Sequence, residues 1–318
     1  MTLPRKQLAG SALSTTVLGF GAAPIGNLYR RVTDAEAHAT VDAAWQGGVR
    51  YFDTAPHYGL GLSERRLGAA LAGYPRADYV ISTKVGRILV TNPAPTGSDL
   101  HNLFDVPDDF VRRLDYSADG VRRSLADSLD RLGLDRVDIV LVHDPDDHLE
   151  QAIAEALPAL VQLRDEGVVS AVGVGMNAVA PLRRVVAEAD VDCVMVAGRW
   201  TLLDRSAERL LAECQRHGVS VLAAAPFNSG ILASNHPSAD SFFDYTGVPA
   251  PVLARAEELA SICAASGIDL PAAAIQFPLR HPAVTTVVAG MASESDSRAD
   301  SALAAVDIPD SLWERLAR

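Results

Sequence analysis

The stretch GVRYFDTAPHYGLGLSERRLGAAL, residues 48–71, decides how the chain is read. It opens on a short apolar run, 49–52, of the length a buried strand needs. It turns through Thr-Ala-Pro-His-Tyr-Gly-Leu-Gly and resumes as a helical segment, 63–71, that begins Ser-Glu. Strand, loop and helix follow in that order, with Asp53 and Tyr58 just past the strand. Outward from this unit the pattern repeats. Further strands are expected near 17–20, 79–83, 139–142, 169–174, 193–197, 219–224 and 285–289. Helices are expected over 34–46, 121–131, 149–164, 180–189, 207–216, 252–265 and 296–305, with a short one at 271–279. Eight strand–helix units predict a parallel sheet closed into a (β/α)8 TIM barrel, as one domain over 1–318. Two long stretches, 87–116 and 228–251, read as irregular loops. Both follow strands, which makes them the expected walls of a pocket.

Composition narrows the function. The chain has 318 residues, 48% hydrophobic, with a net charge of −12. Such an acidic surface argues against nucleic acid or an anionic membrane as partner and leaves a small molecule. Cys193, Cys214 and Cys263 are the only cysteines, and none has metal-ligand spacing. Neither a disulfide framework nor a metal site is expected, and a reduced, cytoplasmic setting fits. The first residues lack the apolar core of a signal peptide, and no run reaches the ~18 apolar residues of a membrane helix. Oligomeric state leaves no mark in the pattern.

Four residues carry chemistry. Asp53 and Tyr58 follow the run at 49–52, Lys84 ends Tyr-Val-Ile-Ser-Thr-Lys, and His143 follows Asp-Ile-Val-Leu-Val. Parallel barrels build their active centres at strand C-termini. A phenol titrates near ~10, and an adjacent ammonium lowers that value. Lys84 is expected to do this for Tyr58, with Asp53 pairing Lys84 and His143 orienting a substrate oxygen. Such a set moves a proton on or off a carbonyl or alcohol oxygen. The remaining hydride needs a nicotinamide cofactor. Gly19-Phe20-Gly21-Ala22-Ala23-Pro24 is no dinucleotide fingerprint, because Pro24 replaces the next glycine. In His143-Asp144-Pro145-Asp146-Asp147-His148 the two later aspartates read as helix caps rather than metal ligands. His57 and His101 are candidate substrate contacts, with solvated loop histidines the ordinary alternative.

These residues lie in segments that resemble the aldo-keto reductase superfamily: LGFGAAPIGNLY at 18–29, the stretch at 48–71, STKVGR at 82–87, DIVLVHD at 138–144 and VGVGMN at 172–177. The resemblance covers nearly the whole chain, and 53–71 is its most diagnostic part. It implies a (β/α)8 barrel that binds NAD(P) without a Rossmann fingerprint, with Asp53, Tyr58, Lys84 and His143 as its catalytic tetrad. Tyr58 would be the acid in reduction and the base in oxidation. Asn177, preceded by Met176, matches the asparagine that holds the nicotinamide carboxamide. Gly21 and Asp53 would also face the cofactor, and Pro226, Phe227, Ser229, Gly230 and Ile231 would form the loop over its pyrophosphate. Two positions depart from the family. Ala197 stands where a glutamine is frequent, and Leu222-Ala223-Ala224-Ala225 where many members have an aromatic.

The loop after the last strand would contribute Gly290, Met291, Ser293 and Glu294. It has no basic residue before Arg298, and its Glu294 and Asp296 would repel a 2′-phosphate, so NAD is expected over NADP. Arg298 opposes this if the alignment shifts by a turn. AGRWTLLDR at 197–205 and GVGMN at 173–177 resemble the sugar dehydrogenase branch. That branch implies oxidation of an L-fucose or D-threo-type aldose at its anomeric carbon to a lactone. The alternatives are pyridoxal oxidation to a lactone, NADPH-dependent aldehyde reduction, and a cofactor-sensing regulatory subunit. Arg199 would contact substrate oxygens or form a salt bridge with Asp192 or Asp204.

Overall fold

A computed structural model of the protein describes residues 2–317. Eight parallel strands close into a barrel: β1 (Leu18–Gly21), β2 (Tyr51–Asp53), β3 (Val80–Val85), β4 (Ile139–His143), β5 (Ala171–Met176), β6 (Cys193–Ala197), β7 (Ser220–Ala224) and β8 (Val284–Gly290). Each pairs with the next in chain order, and β8 returns to β1 with Val287 opposite Leu18. The (β/α)8 expectation holds. Several strands run one or two residues past their expected ends, so Asp53, Lys84 and His143 lie inside β2, β3 and β4.

Side chains alternate across each strand and so divide two cores. Tyr51, Ile139, Leu141, Met195 and Leu222 fill the barrel interior. Phe20, Phe52, Ile81, Val140 and Val142 face the surrounding helices. Tyr51 needs the space that Gly19 leaves, since a Cβ there would come 2.6 Å from the Tyr51 ring. This parity also sets the chemistry. Asp53 lies two residues beyond inward Tyr51, and His143 four beyond inward Ile139. Lys84 lies four beyond inward Val80. All three therefore project into the mouth of the barrel. An antiparallel pair that the pattern did not reveal, Arg5–Gln7 with Ser14–Thr16, closes the other end, with Leu8 fully buried against the interior.

Local chemistry sets the helix ends. In α1 (Asp34–Gln46), Thr33 and Glu36 form a capping box: the Glu36 N–H donates to Thr33 Oγ1 at 3.2 Å, and the Thr33 N–H to the Glu36 carboxylate at 2.7 Å. α2 (Leu62–Leu71) follows the loop that bears Tyr58. α3 (Ala118–Leu132) is capped by Ser117 and stops at Gly133, whose φ of 64° suits the left-handed end. The helix expected at 149–164 is continuous but widens into a π turn over Ala152–Ala156. Pro158, which has no N–H to give, comes just after. Asp146 and Asp147 do not cap it. They lie in the short turn Asp146–His148, and no side chain bonds the helix start.

The stretch 87–116 is not irregular as expected. Arg87–Thr91 pairs with Phe110–Leu114 in an antiparallel hairpin at the barrel mouth. The stretch 228–251 is largely irregular, save for a ribbon of Phe242–Phe243 with Thr246–Gly247. Among the described residues no helix is long and apolar enough to cross a membrane.

Candidate active site

Tyr58 is presented by a tightly wound loop. Its N–H donates to the Ala55 carbonyl at 3.1 Å, and the Gly61 N–H donates to that of Pro56 at 2.9 Å. Gly59, at φ 60°, lies so close to Gly26 that a Cβ would fall 2.1 Å from the Gly26 oxygen. No other residue fits there. The Ser63 hydroxyl ties this loop to β1 by donating to the Ala22 carbonyl at 2.7 Å. Glu64, fully buried, accepts from Thr83 Oγ1 at 2.8 Å and from Arg131 Nε at 2.6 Å. Thr83 is the neighbour of Lys84, so this buried pair fixes α2 and α3 against the strand that carries the lysine.

The tetrad assembles as one hydrogen-bonded chain. Lys84 Nζ donates to Asp53 Oδ2 at 2.7 Å, to the Thr54 carbonyl at 3.1 Å and to the Tyr58 hydroxyl at 3.0 Å. Asp53 Oδ1 accepts from Ser82 Oγ at 2.7 Å, and Tyr51 lies 2.9 Å from that hydroxyl. His143 packs edge-on to Tyr58, ring centres 5.8 Å apart. Burial opposes the charge on Lys84, but the Asp53 carboxylate and Tyr58 outweigh it and raise its pKa above the ordinary value. The phenol behaves otherwise than expected. Burial pushes Tyr58 up to about 12, and Lys84 only offsets part of that. The His143 imidazole is held well below its usual range by burial and then by the Arg87 and Lys84 charges. It is neutral.

His57 turns inward rather than to solvent. It lies against Phe104 and His143, and burial, with Arg112 next, drives its pKa down to about 2. The hairpin at 87–116 holds it. Arg112 pairs with buried Asp99 at 2.6 Å and donates to the His57 carbonyl at 2.8 Å. His101 is exposed.

A cavity of about 720 Å³ opens over the tetrad and extends to the helix Glu294–Leu303. Asp53, Tyr58, Lys84, His143 and His57 line one end. Gly21, Met176, Asn177, Ala197 and Ala224 line its floor, and Pro226, Phe227, Ser229, Gly230 and Gly290 also face it. Ile231 and Met291 are fully buried and Ser293 caps the helix Glu294–Leu303; none of these lines the cavity. Glu294 is taken by Arg298 at 2.6 Å, and both stay outside the cavity. Arg199 also stays outside. It bonds Asp244 at 2.9 Å and reaches Asp204 at 3.5 Å, whereas Asp192 pairs with Arg164.

Tyr245 and Asp300 are among the lining residues that the sequence pattern does not single out. Tyr245, from the stretch 228–251, stands beside Asn177. Asp300, 6% exposed, presents to the far end a carboxylate with no hydrogen bond from any described residue. Burial and then the Asp296 charge push it up to about 7. The four-residue spacing of Asp296 and Asp300 on one helix face was the available signal.

A closed (β/α)8 barrel with this tetrad at its mouth defines a class of oxidoreductase. The chain belongs to the Aldo/keto reductase family, whose profile it matches over residues 17–318. It is 47% identical over 313 residues to a D-threo-aldose 1-dehydrogenase from Pseudomonas sp, covering 97% of this chain and 95% of that one. It is 38% identical to a pyridoxal 4-dehydrogenase from Microbacterium luteolum, with 98% and 96% covered. Among solved structures, an aldo-keto reductase from Bacillus halodurans in its holo form superposes with a TM-score of 0.79 at 25% identity, covering 99% and 95%. Aldo-keto reductases use nicotinamide cofactors, and the cavity suits one. It has Gly21, Ala197 and Ala224 in its floor, the Asn177 amide, and at its far end a carboxylate with no hydrogen bond from any described residue.

Proposed function

We propose that the protein oxidises an aldose at its anomeric carbon to the lactone, with NAD as cofactor and Tyr58 as proton acceptor. The contact chain from Asp53 through Lys84 to Tyr58, 2.7 and 3.0 Å, carries this reading. The anomeric hydroxyl would sit between Tyr58 and His143. A bound nicotinamide supplies the acceptor for the hydride of the adjacent C–H bond. Neutral His143 offers an N–H to the substrate oxygen and does not compete for its proton. Tyr58 keeps its proton at neutral pH and can donate it in the reductive direction. Oxidation draws on the minor phenolate form, which Lys84 stabilises, so it gains speed as pH rises.

Asn177 and Met176 would hold the nicotinamide end, Gly21 and Asp53 would sit beneath it, and Pro226, Phe227, Ser229, Gly230 and Gly290 would flank the remainder. At the far end the carboxylates of Asp296 and Asp300 outnumber the one guanidinium that lines the cavity, Arg30, which bonds the Ala292 carbonyl at 2.9 Å. That balance disfavours a 2′-phosphate and supports NAD over NADP. Three free, buried cysteines suit a reducing, cytoplasmic setting.

Similarity to the D-threo-aldose enzyme supports a sugar substrate. Similarity to the pyridoxal enzyme supports a second reading, because pyridoxal in hemiacetal form presents the same O–H and C–H. The test is NAD and NADP reduction, followed optically, with L-fucose, D-arabinose, L-galactose and pyridoxal. Turnover of one sugar group with NAD is expected. Turnover of pyridoxal alone transfers the proposal to the second reading, and a preference for NADP overturns the cofactor assignment.

A further inference from the structure

We propose that Asp144 recognises the substrate hydroxyl on the carbon next to the reacting one, and so selects polyhydroxylated substrates. The inference rests on the aldose-oxidising reading above. Asp144 follows His143 at the end of β4 and lines the same cavity. Its Oδ2 lies 3.5 Å from His143 Nε2, the ring nitrogen on the cavity side, and accepts from Arg87 at 2.9 Å. Its other oxygen, Oδ1, takes no hydrogen bond from any described residue. A substrate oxygen held by His143 and Tyr58 would place a vicinal hydroxyl one hydrogen-bond length further along, within reach of this carboxylate. A carboxylate is an acceptor only, so it suits a hydroxyl and offers nothing to an unsubstituted carbon.

The backbone is built around this placement. Asp144 adopts φ 41°, in the left-handed region that non-glycine residues rarely enter. It is held there by the Tyr116 hydroxyl, which bonds both the His143 and Asp144 carbonyls at 2.9 and 3.0 Å, and by its own N–H on the Gly175 carbonyl at 3.0 Å. The carboxylate also has a positioning effect on His143. An acceptor beside Nε2 favours the tautomer with its proton there, and Nδ1, buried with no partner, keeps only a lone pair.

The experiment compares kcat/KM for the preferred aldose and its 2-deoxy counterpart in the wild type, Asp144→Asn and Arg87→Met, with melting temperatures as a fold check. The wild type should favour the aldose by about tenfold or more, as expected where a half-buried charged acceptor loses its donor. Asp144→Asn should bring that ratio down about tenfold or more, mainly through KM, because the contact is remote from the reacting bond. Arg87→Met, which loosens the anchor but keeps the carboxylate, should leave most of the ratio in place. Equal use of both sugars by the wild type, or equal loss on both in Asp144→Asn, would overturn the role of Asp144 and leave aldose oxidation standing. Turnover of pyridoxal with neither sugar oxidised would overturn both readings together.

Discussion

Two buried carboxylates line one cavity and differ in every other respect. Asp53, 3% exposed, is satisfied within the chain by Lys84 and Ser82, both at 2.7 Å. Asp300, 6% exposed, receives no hydrogen bond from any described residue, faces the charge of Asp296 and is pushed up to about 7. A buried charge without a partner is costly, and chains keep one mostly where something else supplies the partner. The strand-borne end is therefore hydrogen-bonded within the chain, whereas the helix-borne carboxyl has no such partner among the described residues and would gain one from a ligand hydroxyl.

The sharpest break in this comparison comes at the strand-borne end. Tyr58→Phe should lower kcat by about 10²–10⁴-fold while NAD binding, followed by fluorescence, stays close to that of the wild type. Loss of cofactor binding would contradict the division of labour. Lys84→Met should lose activity comparably, because the phenol is deprived of the ammonium that bonds it at 3.0 Å. It should also lose stability, of the order of 3–5 kcal/mol by denaturant unfolding, because Asp53 is left buried and unpaired.

At the other end the sign reverses. Asp300→Asn should weaken NAD binding yet raise the melting temperature by a few degrees at pH 8. The carboxyl pKa is raised on folding, so its ionisation costs stability as pH climbs from 3.8 towards about 7. The stabilisation should be smaller at pH 5, and an Asn variant less stable than the wild type at both pH values would contradict the account. The histidines between the two ends give a gentler test. His57 and His143 have depressed folded pKa values, so the stability they contribute is present above 6.5 and is lost as pH falls below it. Between pH 7 and pH 5 the wild type should therefore lose melting temperature relative to His57→Gln, which lacks one of these titrations. Arg199→Ala should do least, about 0–1 kcal/mol in stability and little in KM, since its guanidinium is engaged outside the cavity. A large change in sugar preference would place Arg199 against the substrate instead.

The contrast also explains what the sequence disclosed. Asp53, Lys84 and His143 lie on strands, where period-2 alternation from a buried residue such as Tyr51 or Ile139 fixes the direction of the side chain. The tetrad was legible for that reason. The phenol's titration was not, because its direction depends on how deeply Tyr58 is buried, and burial outweighs the ammonium beside it. The hairpin at 87–116 was masked by its Pro, Gly and Asp-rich tip, although the apolar run Ile88-Leu89-Val90 was present. Asp300 sits in Glu-Ser-Asp-Ser-Arg-Ala-Asp, which reads as a solvated helix face. Of the two partners of Arg199, Asp204 was legible five residues on, whereas Asp244 was out of reach, 45 residues on at the tip of an irregular loop.

The most direct test of the central claim is label transfer from an aldose deuterated at C1, with NAD and NADP supplied in parallel and the product analysed before the lactone opens. The account predicts deuterium on the reduced NAD, a lactone as the product, and neither with Tyr58→Phe. Oxidation without transfer of the label, or at any other carbon of the sugar, would contradict it.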